Sequence, residues 1–148
     1  TSVSNGLDVL NEDVKIVAVH DGARPYVTSE LISETIKVAK RNGSGVAAVR
    51  ITDTVKFVER GLTVSETLDR RKLWAVQTPQ TFRRELLVEA LETVKKKKKT
   101  VTDEASAVEY LGESVRLVPA AVSNIKLTTA DDLTMATAIL SLNEELSP

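Results

Sequence analysis

Apolar positions in this 148-residue chain form three patterns: continuous runs, stripes at helical spacing and one alternating stretch. Val3, Leu7 and Leu10 recur at helical spacing, which predicts a short helix or the tail of one over residues 2–11. "KIVAVH" (15–20) is a continuous apolar run, the mark of a strand buried on both faces. After Pro25, "TSELISETIKVAKRNG" reads as a helix. Thr28 or Ser29 caps its start, Leu31, Ile32, Thr35, Ile36 and Ala39 form its inner face, and Lys40, Arg41 and Gly43 end it. "GVAAVRI" (45–51) is a second buried strand. Strand, turn, helix and strand joined by short links predict a parallel α/β sheet.

Residues 53–70, "DTVKFVERGLTVSETLDR", alternate apolar and polar side chains about a turn at Arg60 and Gly61. That predicts an antiparallel hairpin with one solvated face, projecting from the body. "LWAVQTPQTF" (73–82) returns to an apolar strand, expected to stop at Pro79. Residues 83–94 follow as an amphipathic helix through Leu86, Leu87, Ala90, Leu91 and Val94. The lysines at 95–99 read as a solvated helix end or loop. "TDEASAVEYLG" is a short helix closed by Gly112, and "SVRLVPA" a strand. In "TTADDL", Thr129 with Asp132 forms a capping box for a final helix carrying Leu133, Met135, Ala136, Ile139 and Leu140. No internal repeat or linker divides residues 1–148, so a single domain is expected, with 53–70 as a β-arm.

Composition narrows the functional classes. Hydrophobic residues make up 42% and charged residues 28%, ordinary for a globular domain. A net charge of −1 gives no global attraction to nucleic acid or to a membrane. No cysteine and a single histidine exclude disulfides and metal clusters built from those residues. No apolar run approaches the roughly 20 residues needed to cross a bilayer, and residues 1–10 lack the pattern of a signal peptide. The cytoplasm is the expected compartment, or a plastid if the source is a plant.

Several polar residues fall at strand ends and helix starts. Asp21 and Arg24 follow the first strand, Thr78 and Gln80 lie at the end of another, and Thr102 to Glu104 open a helix. Ligands of open α/β sheets sit at such carboxyl edges. Arg24, Arg70 and Lys126 would supply positive charge suited to a phosphate. Asp21 could hold a ribose hydroxyl, a substrate hydroxyl or a magnesium ion. Each also has a plain structural reading. Arg24 could bridge to a surface acid, Asp21 could cap a turn, and Arg70 could belong to a solvated basic group with Arg71 and Lys72. Lys126, between Ile125 and Leu127 in an apolar strand, needs a partner for its ammonium. His20 reads as a structural hydrogen-bonder and Trp74 as core. Residue pattern alone yields an α/β domain with an anion site.

The motifs "VHDGARP", "DTVK", "LDRRKLWAVQTPQTF", "VTDEASAVEYLG" and "NIKLTTADDL" occur in one order and spacing. Together they resemble the 2-C-methyl-D-erythritol 4-phosphate cytidylyltransferase family, from residue 1 to about residue 140. The resemblance implies a Rossmann-like, mostly parallel three-layer α/β sheet with a protruding β-arm, of the nucleotide-diphospho-sugar transferase type. It implies cytidylyl transfer from CTP to 2-C-methyl-D-erythritol 4-phosphate in non-mevalonate isoprenoid biosynthesis, with pyrophosphate released and Mg2+ held largely by the CTP phosphates. By the same resemblance Asp21 and Arg24 contact the methylerythritol and the ribose, and the Gly22 and Ala23 backbone approaches the nucleotide. Thr54 and Arg70 lie on an arm that reaches into the partner subunit of a homodimer. Thr78 and Thr102 are substrate-side residues, and Arg70 and Lys126 position the phosphate for attack. The family's glycine-rich loop, whose arginine and lysine grip the triphosphate, is not found in these residues. It is expected upstream of Thr1, and residues 1–148 alone are then expected to be inactive. Two other readings stay open: a ribitol-5-phosphate cytidylyltransferase, and a non-catalytic module for anion binding or dimerisation.

Overall fold

The protein is described here from a computed structural model covering residues 2–145. Its elements follow in the order α1 (Ser2–Asp8), β1 (Ile16–Val19), α2 (Ser29–Asn42), β2 (Ser44–Arg50), β3 (Lys56–Phe57) and β4 (Glu66–Thr67). A 3₁₀ turn (Arg70–Lys72) then leads to β5 (Trp74–Arg83), α3 (Arg84–Lys96), α4 (Glu104–Leu111), β6 (Leu117–Pro119) and α5 (Ala130–Glu145). Helix ends follow the local chemistry. Thr28 caps α2 by accepting from the Leu31 amide at 3.2 Å, and Asp103 caps α4 through the Ser106 amide at 2.9 Å. Gly112, at φ 94°, closes α4 in the left-handed conformation that costs glycine little.

The main sheet has the order β1-β5-β2-β6. Three strands, β1, β2 and β6, run one way; β5 is antiparallel to both of its neighbours. The reversal has a simple origin. The chain leaves β2 at Arg50, traverses the arm and re-enters opposite that residue, because Arg50 pairs with Trp74. A strand that returns at the end it left from must run antiparallel.

Two expectations for the strands need correction. β5 does not stop at Pro79 but continues to Arg83 through a cis Thr78–Pro79 bond. Register moves from Val46↔Gln80 to Ala48↔Val76, so residues 77–79 face Ala47 alone. That bulge accommodates a proline inside a central strand. β1 stands at the sheet edge, with Ala18 exposed, rather than buried on both faces.

Side chains alternate across the sheet and define three layers. Gly45 and Thr81 face α2: Thr81 donates to the Thr35 hydroxyl at 3.0 Å, and a Cβ on Gly45 would lie 2.3 Å from the Thr35 carbonyl oxygen. Val46 and Phe82 face the other way and join Leu7, Leu87, Ala90, Val94, Ala105, Ala107 and Val108 in the core under α1, α3 and α4. Burying each of the larger of these side chains contributes about 1.5–3 kcal/mol. Trp74 is only half-buried and carries the Arg50 guanidinium 4.6 Å above its ring. α5 is the expected final helix; of its apolar residues Ala136 is buried, Leu133 and Met135 are exposed, and the Leu140 side chain lies outside the described residues.

β3 and β4 form a separate two-stranded sheet, Lys56 opposite Thr67 and Phe57 opposite Glu66. Gly61, at φ 65°, sits in the turn. This is the expected hairpin, and Phe57, Val58, Leu62 and Val64 are exposed along it. Among the described residues no helix is long and apolar enough to cross a membrane.

Candidate active site

The first strand runs straight into the site. Beyond β1 the chain turns at Asp21 to Arg24, closed by the Arg24 amide donating to the Asp21 carbonyl at 3.0 Å. Thr78 lies beside this turn on β5. Its hydroxyl accepts from the Asp21 amide at 2.9 Å and meets His20 Nδ1 at 3.0 Å. His20 Nε2 lies 3.1 Å from the Arg24 carbonyl, which can only accept, so in the neutral ring Nε2 carries the proton and Thr78 donates to Nδ1. His20 therefore works as a structural hydrogen-bonder that staples the turn.

Charge converges on one oxygen. Arg24 Nε lies 3.3 Å and Lys126 Nζ 3.1 Å from Asp21 Oδ2. Arg24 is the more buried cation, its side chain 11% exposed against 46% for Lys126. Partial burial pushes the Asp21 carboxyl up, but the hydrogen bond and charge of Lys126, then those of Arg24, outweigh it and hold it below the ordinary value. Lys126 stands in the irregular segment between β6 and α5 rather than in a strand, with Asp21 as the partner its ammonium requires. The three groups carry one excess positive charge, and the half-exposed ammonium presents it.

The segment carrying Lys126 is tied down on both sides. The Leu127 amide donates to the Ala23 carbonyl at 2.8 Å, and Arg24 Nη1 donates to the Asn124 carbonyl at 2.7 Å. A Cβ on Gly22 would meet nothing within 4 Å, so the backbone there is open to a ligand. A second polar layer continues along β5. Gln80 donates to Asp103 Oδ2 and accepts from the Ala105 amide, both at 2.9 Å. Asp103 is raised by burial, yet lowered overall by bonds from Ser106, Gln80 and Thr102. Glu104 is raised, first by burial and then, against a lowering bond from its own backbone, by the charges of Asp103 and Asp21.

The structure thus gathers Asp21, Gly22, Ala23, Arg24, Thr78 and Lys126, while Thr102 bonds Ser106 in the neighbouring polar layer of Asp103 and Gln80. It does not bring in Thr54 or Arg70. Both stand at the base of the arm, where Arg70 Nη1 donates to the Thr52 carbonyl. Among the described residues no hydrogen bond or ion pair joins them to the Asp21 cluster. Asp103 lies in the predicted stretch Thr102 to Glu104, whereas Asn124 and Gln77 are not among the candidates the sequence offers. Their signal is a carboxamide beside apolar residues, which burial obliges to find partners. As a magnesium ligand, Asp21 is compromised by two cations on one oxygen, and the described residues hold no group of three acidic or histidine side chains able to hold a metal. They build no magnesium cage; an ion accompanying a nucleoside triphosphate would take its oxygens from the phosphates.

Fold and site together define an α/β domain with a cationic cluster beside the Thr78 hydroxyl at its strand ends, a chemistry suited to phosphate-bearing ligands. A sequence model of the family IspD, 2-C-methyl-D-erythritol 4-phosphate cytidylyltransferase, matches residues 1–142. The chain belongs to that family. A relative of the same description from Alkaliphilus oremlandii is 44% identical over 144 residues, covering 97% of this chain and 61% of its own length. One from Geobacillus thermodenitrificans is 49% identical over 140 residues, covering 95% and 60%. Among solved structures, a 4-diphosphocytidyl-2C-methyl-D-erythritol synthase from Anaerococcus prevotii superposes with a TM-score of 0.87 at 33% identity, over 95% of this chain and 65% of that one. A 2-C-methyl-D-erythritol 4-phosphate cytidylyltransferase from Francisella tularensis gives 0.83 at 39% identity, over 92% and 65%. The chain therefore spans about 60% of the length of the curated relatives it matches.

Proposed function

We propose that the protein transfers the cytidylyl group of CTP to 2-C-methyl-D-erythritol 4-phosphate, as a cytoplasmic homodimer that takes up CTP with magnesium. The observation that supports this most is the Asp21, Arg24 and Lys126 cluster beside Thr78, formed by family motifs within a match over residues 1–142. In the reaction a phosphate oxygen of the acceptor attacks the α-phosphorus of CTP. The new bond is P–O to the acceptor, the bond to the β-phosphate oxygen breaks, and pyrophosphate leaves. No side-chain nucleophile is needed, so the protein's part is positioning and cationic stabilisation.

Lys126 meets the acceptor phosphate, exchanging part of its contact with Asp21 for it. Arg24, more buried and doubly bonded, stays on Asp21 and holds that carboxylate in place. Asp21 accepts from a hydroxyl of the ribose or of the acceptor, Gly22 and Ala23 let the nucleotide approach, and Thr78 and Thr102 line the substrate side. Arg70 and Thr54 act from the arm of the partner subunit.

Pyrophosphate release tests the reading in a protein of the relatives' full length carrying this chain. With CTP and magnesium, release should follow 2-C-methyl-D-erythritol 4-phosphate and not ribitol 5-phosphate. Background release with the former sinks the proposal; turnover with the latter reassigns the acceptor.

A further inference from the structure

We propose that Asn124 is a positioning residue whose buried carboxamide sets Lys126 against Asp21. This deepens the functional reading above and rests on it. Asn124 is 1% exposed, deeper than any of the charged groups around it. Its Nδ2 donates to Gln77 Oε1 and to the Thr78 carbonyl, both at 2.9 Å. It thereby fastens the irregular segment between β6 and α5 onto the bulge of β5, at the residue whose hydroxyl accepts from the Asp21 amide. Its own carbonyl receives Arg24 Nη1 at 2.7 Å. Lys126 follows two residues later, with the Leu127 bond to Ala23 as the next tie. The distance from Lys126 to Asp21 thus depends on where Asn124 is held.

The donor half of the carboxamide carries the function. Asn124 Oδ1 is buried without a hydrogen-bond partner among the described residues, whereas Nδ2 uses both of its protons. Asn124→Asp preserves size and the unbonded oxygen, replaces the donors by an acceptor opposite the Thr78 carbonyl and adds a carboxylate charge; Gln77→Ala, which adds none, is therefore run beside it.

The test is a double-mutant cycle in the full-length protein, with kcat/KM read for the acceptor at saturating CTP. Asn124→Asp should lower it about tenfold or more when Lys126 is present, and less than about threefold in a Lys126→Ala background. A fold that is merely weakened loses the same factor in both. Equal losses, or no loss beside Lys126, overturn the proposal. Whether or not Asn124→Asp folds, Gln77→Ala removes one of the two acceptors. It should lower the same constant about threefold with Lys126 present and leave it unmoved without it; no change with Lys126 present overturns the proposal. A wild-type protein with no turnover defeats the functional reading instead. The crystal structure of Asn124→Asp, or of Gln77→Ala, then decides. Displacement of Lys126 Nζ from its 3.1 Å contact with Asp21 sustains the brace, and an unmoved contact overturns it.

Discussion

Asp21 Oδ2 serves two cations, but they are not equivalent. Arg24 is fixed by a second bond to the Asn124 carbonyl, while Lys126 is half-exposed and, among the described residues, shares only this carboxylate. A phosphate approaching the cluster therefore draws on Lys126 first. Lys126→Ala in the full-length protein should raise KM for the acceptor and lower kcat, together about 2–4 kcal/mol in kcat/KM, with the KM for CTP little changed. Unchanged acceptor kinetics would return Lys126 to a purely structural partner of Asp21. Glu104 offers a second test, through pH. Its folded-state pKa is raised by burial first, then by Asp103 and Asp21, so the unfolded chain ionises earlier as pH rises. Stability is lost between the ordinary value of 4.5 and the raised one, and stays lost above it. Glu104→Gln should then raise the urea midpoint at pH 7 and leave it unchanged at pH 3. A midpoint unmoved at pH 7 would mean that neither burial nor the acidic neighbours penalise the Glu104 charge.

At the level of elements, the sheet and α2 approach so closely that one position tolerates no side chain. A Cβ on Gly45 would lie 2.3 Å from the Thr35 carbonyl oxygen and 3.1 Å from the Ala39 amide nitrogen, both rigid backbone. Gly45→Ala should destabilise by about 3 kcal/mol, read as a lower urea midpoint, while Gly22→Ala, facing open space, should cost far less. Apolar rhythm made β2, α2, α3 and the hairpin readable in advance, because burial acts on each residue separately. It could not show that β5 passes Pro79, since a bulge depends on register against another strand. Nor could it show that β1 lies at an edge, or that Leu133 and Met135 of α5 stay exposed. The site divides along the same line. Asp21, Arg24 and Lys126 stand out as charges beside apolar runs, but Asn124 works through bonds to residues 46 and 47 positions away. Such pairings leave no periodicity.

The whole molecule presents a hairpin whose strands, among the described residues, pair only with each other, carrying Phe57, Val58, Leu62 and Val64 in solvent. Leu62 is 99% exposed, a costly place for a leucine in an isolated chain. A two-fold dimer would cover these side chains and carry the arm to the other subunit's Asp21 cluster. That arrangement would also account for Arg70 and Thr54 standing apart from the Asp21 cluster in their own chain. Arg70 is then expected to act in trans, while Asp21 and Lys126 act in cis. Full-length Arg70→Ala and Lys126→Ala chains should each be nearly inactive as homodimers. After free exchange about half the dimers are mixed, and in each mixed dimer one of the two sites has both Lys126 in cis and Arg70 in trans. About a quarter of wild-type activity should return, measured as pyrophosphate release. Were Arg70 part of its own subunit's site, every site in a mixed dimer would lack one cation and nothing would return. Exchange itself is checked by pulling down one tagged chain and finding the other. With exchange shown and activity still at the level of the single variants, the arm would be a clasp between subunits and no part of the chemistry.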